Sequence, residues 1–179
     1  MARRRVLTLL FWSFAVALWG ADMPKVLLQT DKGDILLRIR TDWAPRAAEN
    51  FLTHVKNGYY NGVIFHRVIR GFMIQSGDPT GTGRGGDSIW HKPFANEYAK
   101  NVVFDRPGVL AMANTGRPVS NRSQFFITVA PAPWLNGGYT IFGEVIEGME
   151  TVRAISRVSV DRRHRPIEPV RIRRAEIAE

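Results

Sequence analysis

Short apolar segments, separated by turns rich in glycine and proline, are the feature that most limits the folds open to this chain. Its 179 residues include 16 glycines and 10 prolines, and most of the apolar runs between them are too short for buried helices. Only two segments, near residues 42–57 and 149–156, repeat their apolar residues at helical spacing, and they lie far apart in the sequence. Many strands with two distant helices predict a mainly β fold, a closed β-barrel capped by two α-helices.

The strands and the first helix have local signals. Apolar and polar residues alternate in part over 25–30 and 34–40, on either side of the turn Asp31-Lys32-Gly33. Thr41 or Asp42 can cap the first helix, and Pro45 suits its first turn. Further strands are predicted at 59–68, 72–75, 109–113, 124–128, 139–145 and 169–177.

The first 21 residues have the layout of a secretory signal rather than of the folded body. Three arginines, Arg3, Arg4 and Arg5, precede an apolar run over 6–19, and the small residues Gly20 and Ala21 follow. This run is shorter than the roughly 20 apolar residues that a membrane-spanning helix needs. We therefore predict a signal peptide at 1–21 and an exported protein, periplasmic or secreted. An uncleaved N-terminal anchor is the alternative.

The positive charge of the chain is concentrated at its C-terminal end. The formal net charge is +9, and removing the three arginines of the predicted signal leaves +6. The late arginines are Arg162, Arg163, Arg165, Arg171, Arg173 and Arg174. Acidic residues interrupt them and no aromatic residue lies among them, so we interpret this end as solvated surface and predict no specific nucleic-acid partner. An anionic partner is the alternative.

Several common chemistries lack a basis in the sequence. The segment 81–86 matches the dinucleotide pattern G-x-G-x-x-G, but Ser88-Ile89-Trp90 and then Pro93 follow it where that site needs a helix. The four histidines have no metal-ligand spacing, and the chain has no cysteine. No G-x-S-x-G elbow is present. We therefore predict neither a cofactor nor a metal, and we expect His66 to be a packed side chain.

A set of short motifs carries the functional signal. In chain order they are Phe65-His66-Arg67, Gly71-Phe72-Met73, Gln75, Gly77-Asp78, Met112-Ala113-Asn114, Ser123-Gln124-Phe125-Phe126, Trp134-Leu135 and Phe142-Gly143. Taken alone, the first of them places one arginine in an apolar strand, where Arg67 could pair with a nearby carboxylate. Together, in this order and with this spacing, the motifs resemble the cyclophilin family over residues 25–177, and 22–179 is then one cyclophilin-like isomerase domain.

This resemblance implies a fold, an activity and a site. The fold would be an eight-stranded antiparallel barrel closed by two helices, and the activity peptidyl-prolyl cis/trans isomerisation of proline-containing polypeptides, without a cofactor and as a monomer. Arg67 resembles the catalytic arginine. The proline pocket would be formed by Phe72, Met73, Phe126 and Leu135, and the groove for the substrate backbone by Gln75, Ala113, Asn114 and Gln124. Trp134 matches the tryptophan that favours cyclosporin-type inhibitors in much of the family.

Two features distinguish this chain within the family. The position four residues after Leu135, commonly histidine in the best-known eukaryotic members, is Tyr139. Tyrosine can still form a wall of the pocket, so turnover is expected to survive, whereas inhibitor affinity is left open. The compact segment 57–63 lacks the insertion of some eukaryotic members, and the chain therefore resembles the exported bacterial type.

An arginine suits this reaction because rotation about an X–Pro bond makes and breaks no covalent bond. Its barrier of about 18–20 kcal/mol comes from the double-bond character of the amide. As the amide twists, the proline nitrogen regains a lone pair and can accept a hydrogen bond. A guanidinium that donates to it stabilises the twisted state more than either planar state. A peptide-binding module that uses the same groove, and a nucleic-acid-binding protein, are the competing hypotheses.

Overall fold

The computed structural model of the protein describes residues 23–178, and the predicted signal peptide therefore lies outside the described residues. Within them the order of elements is β1 (Lys25–Thr30), β2 (Gly33–Ile39), α1 (Pro45–Lys56), β3 (Arg67–Ile69), β4 (Met73–Ser76), β5 (Phe94–Ala95), β6 (Val109–Met112), β7 (Val119–Asn121), β8 (Phe125–Thr128), a 3₁₀ turn (Pro133–Leu135), β9 (Ile141–Glu147), α2 (Met149–Ile155) and β10 (Ile172–Ala178). None of the helices in this part of the chain has the length and apolar character to cross a bilayer.

Eight of these strands form one antiparallel sheet in the order β10-β1-β2-β9-β6-β8-β4-β3, and β5 pairs with β7 separately. The sheet curls so that its two edges approach each other. An isolated antiparallel bridge joins Ile64 to Arg171, and the Gly62 N–H donates to the Ile172 carbonyl at 2.7 Å. The predicted mainly β fold with two helices is confirmed, while full closure of the barrel stays a prediction.

Alternating side chains along the central strands enter two separate apolar clusters, because successive residues of a strand point to opposite faces. Leu110, Phe125 and Ile127 pack into the larger cluster, the interior of the curled sheet. Val109 and Phe126 pack into a second cluster on the other face. Both faces of these strands are thus covered, and the second cluster forms the base of the candidate site.

The two helices close the interior cluster. Phe51 of α1 is fully buried and contacts the rings of Tyr60, Phe125 and Phe142, with ring centroids 5.1–5.2 Å apart. Val152 and Ile155 of α2 pack into the same cluster. The helical spacing of apolar residues therefore predicted correctly which segments cap the core.

The capping of α1 differs from the prediction. Its N-cap is Ala44, without a side-chain hydrogen bond, and Asp42 instead forms an ion pair with Arg40. The free N–H groups of Arg46 and Ala47 donate to the Glu97 carboxylate at 3.1 and 2.8 Å. A carboxylate suits a helix N-terminus because it accepts hydrogen bonds and complements the helix dipole. The prediction that Thr41 or Asp42 caps the helix is therefore wrong.

The strand predicted at 59–68 is also mostly wrong. Only Arg67–Ile69 forms a regular strand there, and Tyr59 to Gly62 form turns. Tyr60 in this segment is buried and its hydroxyl donates to the Ser123 carbonyl at 3.0 Å. The apolar character of the segment thus comes from packing against the core rather than from a sheet ladder.

Candidate active site

The site lies on the face of the sheet that carries the second apolar cluster. Across neighbouring strands, Arg67 of β3 pairs in register with Gln75 of β4, Gln75 with Phe126 of β8, and Phe126 with Ala111 of β6. Residues directly opposite each other in antiparallel strands share a face. The register therefore places a guanidinium, an amide and an aromatic ring in one row, although they are far apart in the sequence.

A cavity of about 550 Å³ opens over this row. Ten of the eleven predicted site residues line it, namely Arg67, Phe72, Met73, Gln75, Ala113, Asn114, Phe126, Trp134, Leu135 and Tyr139. Gln124, the eleventh, lines an adjoining cavity of about 490 Å³, which shares Gln75, Ala113 and Asn114 with the first. The structure thus brings the whole predicted set together along one groove.

The base of the first cavity is apolar and well packed. Phe126 is 4 % exposed and stacks on Phe104 with centroids 5.9 Å apart. The Tyr139 ring meets Phe126 edge-on at 5.6 Å, so this tyrosine forms one wall of the cavity. Trp134 is 67 % exposed at the rim, with its ring 5.5 Å from that of Phe72. A rigid apolar base of this kind suits a small ring such as that of proline.

The polar side of the groove is held by side-chain amides. Gln75 Nε2 donates to Gln124 Oε1 at 2.9 Å. Asn114 Nδ2 donates to the Gly138 carbonyl at 2.9 Å, and Asn114 Oδ1 accepts from the Gly116 N–H at 2.9 Å. These hydrogen bonds fix the orientation of the amides, so the groove is preorganised for an extended peptide.

Arg67 itself is exposed at the edge of the cavity. Within residues 23–178 its guanidinium forms no ion pair with a carboxylate. The alternative of a structural pairing of Arg67 therefore has no partner in the described part of the chain. An arginine beside an apolar cavity, with its donors available, can direct them at a bound ligand.

His66 directly precedes this arginine in the sequence. It is buried, as expected, and lines the first cavity. Burial lowers the pKa of His66 below its ordinary value; the Asp78 carboxylate opposes this shift and the Arg165 guanidinium adds to it. His66 is therefore neutral at physiological pH and adds no charge beside Arg67.

Four further residues line the first cavity that sequence reasoning did not select: Thr82, Gly83, Arg84 and Arg163. Three of them belong to the glycine-rich segment that matched the dinucleotide pattern. This segment is a loop without a following helix, which agrees with the rejection of that match. No group of three or more potential metal ligands is found among residues 23–178.

Comparison with known proteins gives a consistent assignment. The family model described as "Cyclophilin type peptidyl-prolyl cis-trans isomerase/CLD" matches residues 25–177. The chain is 50% identical over 153 residues to the peptidyl-prolyl cis-trans isomerase ppi1 of Schizosaccharomyces pombe, covering 86% of this chain and 98% of that protein. A crystal structure of a cyclophilin type isomerase from Cryptosporidium parvum superposes with a TM-score of 0.85 at 42% identity, covering 88% of this chain and 98% of that one.

Some relatives are much longer than this chain. It is 49% identical to the isomerase CYP71 of Arabidopsis thaliana over 82% of its own length but spans only 23% of that protein. These relatives come from Schizosaccharomyces pombe, Arabidopsis thaliana and Cryptosporidium parvum, so the predicted likeness to the exported bacterial type finds no support among them. The family match over residues 25–177, the identity of about half to relatives of this type and the shared fold show that the chain belongs to the cyclophilin type peptidyl-prolyl cis-trans isomerase family.

Proposed function

We propose that this protein is a peptidyl-prolyl cis/trans isomerase that accelerates rotation about X–Pro bonds in other polypeptides. The observation that carries the proposal is the position of Arg67, exposed and without an ion-pair partner among the described residues, at the edge of the apolar cavity over Phe126. The related Cryptosporidium parvum structure was determined in the presence of the dipeptide Ala-Pro, which is consistent with a ligand of this class.

The proposed mechanism divides the work between the two parts of the groove. Phe72, Met73, Phe126 and Leu135 immobilise the proline ring. Gln75 and Asn114 hold the chain beside it, so that rotation of one part against the other is confined to the X–Pro bond. Arg67 then donates to the proline nitrogen as its lone pair leaves conjugation, an interaction that is available only in the twisted state. No proton transfer is needed at any step.

The direct test is the rate of cis/trans exchange in an X–Pro peptide, measured by NMR exchange spectroscopy with the purified protein. This method needs no coupled protease and detects turnover at equilibrium. We expect exchange cross-peaks that grow with protein concentration. Binding of the peptide, seen as shifted resonances, without accelerated exchange would identify the protein as a peptide-binding module instead.

We also propose that a cyclosporin-type inhibitor binds in the same cavity. Trp134 stands exposed at the rim and Leu135 lies in the base, which supports the proposal. Tyr139 occupies a wall of the cavity and its ring is fixed against Phe126. Inhibition of the exchange rate by cyclosporin, compared between the protein and Tyr139→His, would show how far this wall sets the affinity.

Export, monomeric state and closure of the barrel are further proposals. Export is supported by the basic and apolar pattern of residues 1–21.

Closure of the barrel is supported by the hydrogen bond from the Phe65 N–H to the Val170 carbonyl at 2.9 Å, beside the Ile64–Arg171 bridge. Sedimentation of the purified protein tests the monomer, and slow amide exchange at Phe65 tests closure.

Nucleic acid is not a proposed partner. Arg173 forms an ion pair with Asp31 and Arg174 with Glu176, and Arg165 donates to the Gly81 carbonyl. Arg171 Nη1 likewise donates to the Gly62 carbonyl at 3.2 Å, so four of the six C-terminal arginines are engaged within the protein. We expect any binding to duplex DNA to be weak and to be lost steeply with added salt.

A further inference from the structure

Arg84 lies at the junction of the two cavities and lines both of them. It is exposed, and its guanidinium has no ion-pair partner among residues 23–178. A peptide that leaves the first cavity along Gln75 and Asn114 enters the second one beside this side chain. Arg84 is therefore placed to meet a substrate residue near the proline.

The loop that carries Arg84 is held rigidly from two sides. The Asp78 carboxylate, which is fully buried, accepts from the N–H groups of Gly83 and Gly85 at 2.7 and 3.0 Å. The Gln124 side-chain amide donates to the carbonyls of the same two glycines at 3.1 and 2.8 Å. Both peptide neighbours of Arg84 are thus fixed, and the position of its backbone is set before a substrate binds.

The conformation of the loop at Gly83 favours glycine over a residue with a side chain. Its φ is +80°, and an added Cβ would lie 3.1 Å from Cδ2 of His66. A side chain there would be strained by the backbone conformation and crowded by the histidine. The loop therefore passes close to His66 and exposes the side chain of Arg84, which lies between Gly83 and Gly85.

The charge along the groove has one sign. The first cavity is lined by Arg67, Arg84 and Arg163 and the second by Arg84, Arg117 and Arg122, and neither lining set contains an aspartate or glutamate. Arg122 is paired with Asp87, and Arg163 lies near Asp161, whose carboxylate accepts from its backbone N–H. Among residues 23–178, the guanidinium groups of Arg67, Arg84 and Arg117 form no ion pair with a carboxylate. Unneutralised positive charge therefore extends along both cavities, and Arg84 lies where they meet.

We propose that Arg84 is a specificity-determining residue that selects polypeptides with an aspartate or glutamate within about three residues of the proline, the reach of an extended chain across one cavity. This inference rests on the isomerase function proposed above and names the class of substrate. An exposed guanidinium binds a carboxylate in a two-point geometry and attracts acidic peptides from solution. Because the loop is preorganised, little of this attraction is lost in ordering the protein.

The test uses matched proline peptides in which Glu or Gln is placed in turn at each of three positions on either side of the proline. NMR exchange spectroscopy gives kcat/KM for each member of a pair, and a chemical-shift titration of the same peptides gives Kd independently of turnover. At low ionic strength we expect the Glu peptide to be preferred roughly threefold to fivefold at one or two positions, the range of an exposed ion pair. Added salt should reduce the preference.

Two variants of Arg84 and one control variant test whether this residue causes the preference for the Glu peptide. Arg84→Ala should reduce the Glu-to-Gln ratio to about one, and Arg84→Glu should invert it. Arg153→Ala removes another exposed arginine, on α2, that lines neither cavity, and it should leave the ratio as in the unmodified protein. A ratio of one at all six positions, or a preference that survives in Arg84→Ala, would overturn the proposal. Failure of the isomerase function would appear differently, as an absence of exchange with every peptide, while the Kd comparison would still decide the role of Arg84.

Discussion

Gln75 and Gln124 are joined side chain to side chain, with 2.9 Å between the donating Nε2 of Gln75 and the accepting Oε1 of Gln124. Gln75 is the cross-strand partner of Arg67, and Gln124 binds the glycine loop through the carbonyls of Gly83 and Gly85. One hydrogen bond therefore connects the strand pair that carries the candidate catalytic arginine to the loop that carries Arg84. Both parts of the groove are positioned by the same network of amides.

Arg67→Ala tests the proposed mechanism most directly. Loss of the donor to the proline nitrogen should lower kcat/KM for an X–Pro peptide roughly a hundredfold or more, or about 2.7 kcal/mol of transition-state stabilisation. Arg67→Lys should also be poor, because an ammonium lacks the planar fork of donors. Arg70→Ala is the matched control, since Arg70 is an exposed arginine of the same hairpin that lines neither cavity. Near-normal turnover by a folded Arg67→Ala protein would exclude the arginine mechanism.

Phe126→Ala should affect binding of the proline ring. The side chain is almost fully buried and stacks on Phe104, so its removal leaves the base of the cavity open and also lowers stability by about 3 kcal/mol. We expect KM to rise and the melting temperature to fall. Phe142→Leu, a change in the interior core, separates the two effects, because it should lower the melting temperature without raising KM. Equal KM values for the two variants would contradict a role of Phe126 in the pocket.

Asp78→Asn should loosen the glycine loop. Burial on its own raises the pKa of Asp78, but hydrogen bonds from Thr80, Gly85 and Gly83 outweigh it and hold the pKa below its ordinary value. An amide turns one acceptor into a donor that faces the donors of the loop, so the free energy of unfolding should fall by about 2 kcal/mol or more in urea denaturation. The control is Asp87→Asn, which removes a partly exposed carboxylate paired with Arg122 and should cost less than about 1 kcal/mol. Similar losses in both variants would argue against a special role of Asp78.

The stability of the protein should decrease between pH 7.5 and pH 5.5. Burial lowers the pKa of both His54 and His66, whereas histidines of the unfolded chain take up protons near pH ~6.5. Below that pH the unfolded state binds more protons than the folded state. The free energy of unfolding is therefore highest above this pH and decreases progressively as the pH falls. Urea denaturation at each pH measures the slope. His66→Gln should make the slope shallower, and an unchanged slope in this variant would show that His66 does not contribute.

Export predicts a processed N-terminus. The mature protein should begin near Ala21 or Asp22, after the small residues that follow the apolar run. N-terminal sequencing of protein isolated from its native source measures this directly. A soluble cytoplasmic product that still begins at Met1 or Ala2 would contradict the signal, and a membrane-bound product with the intact N-terminus would support the alternative of an anchor.

The local patterns of the sequence determined the classes of the elements. Alternation predicted β1 and β2, and helical spacing predicted α1 and α2, because both periodicities depend only on backbone geometry over a few residues. Pro45 was correctly predicted in the first turn of α1, but the group that caps this helix was outside this range. The N–H groups of the helix are bound by Glu97, which lies about fifty positions along the chain, and no nearby residue signals such a partner.

The candidate site, too, was predicted in part from the sequence and decided in part by the tertiary structure. The ordered motifs named the residues from Arg67 to Leu135, because their types and spacing resemble one family, and Tyr139 was placed by its distance from Leu135. That resemblance did not select Arg84, since its significance depends on the Asp78 and Gln124 side chains that fix the loop from both sides. Only the tertiary structure decided that Arg67, Gln75 and Phe126 lie in one row, because the register of β3, β4 and β8 brings together side chains that are separate in the sequence. The register of paired strands is set by long-range packing of the two faces of the sheet, and it cannot be predicted from local periodicity.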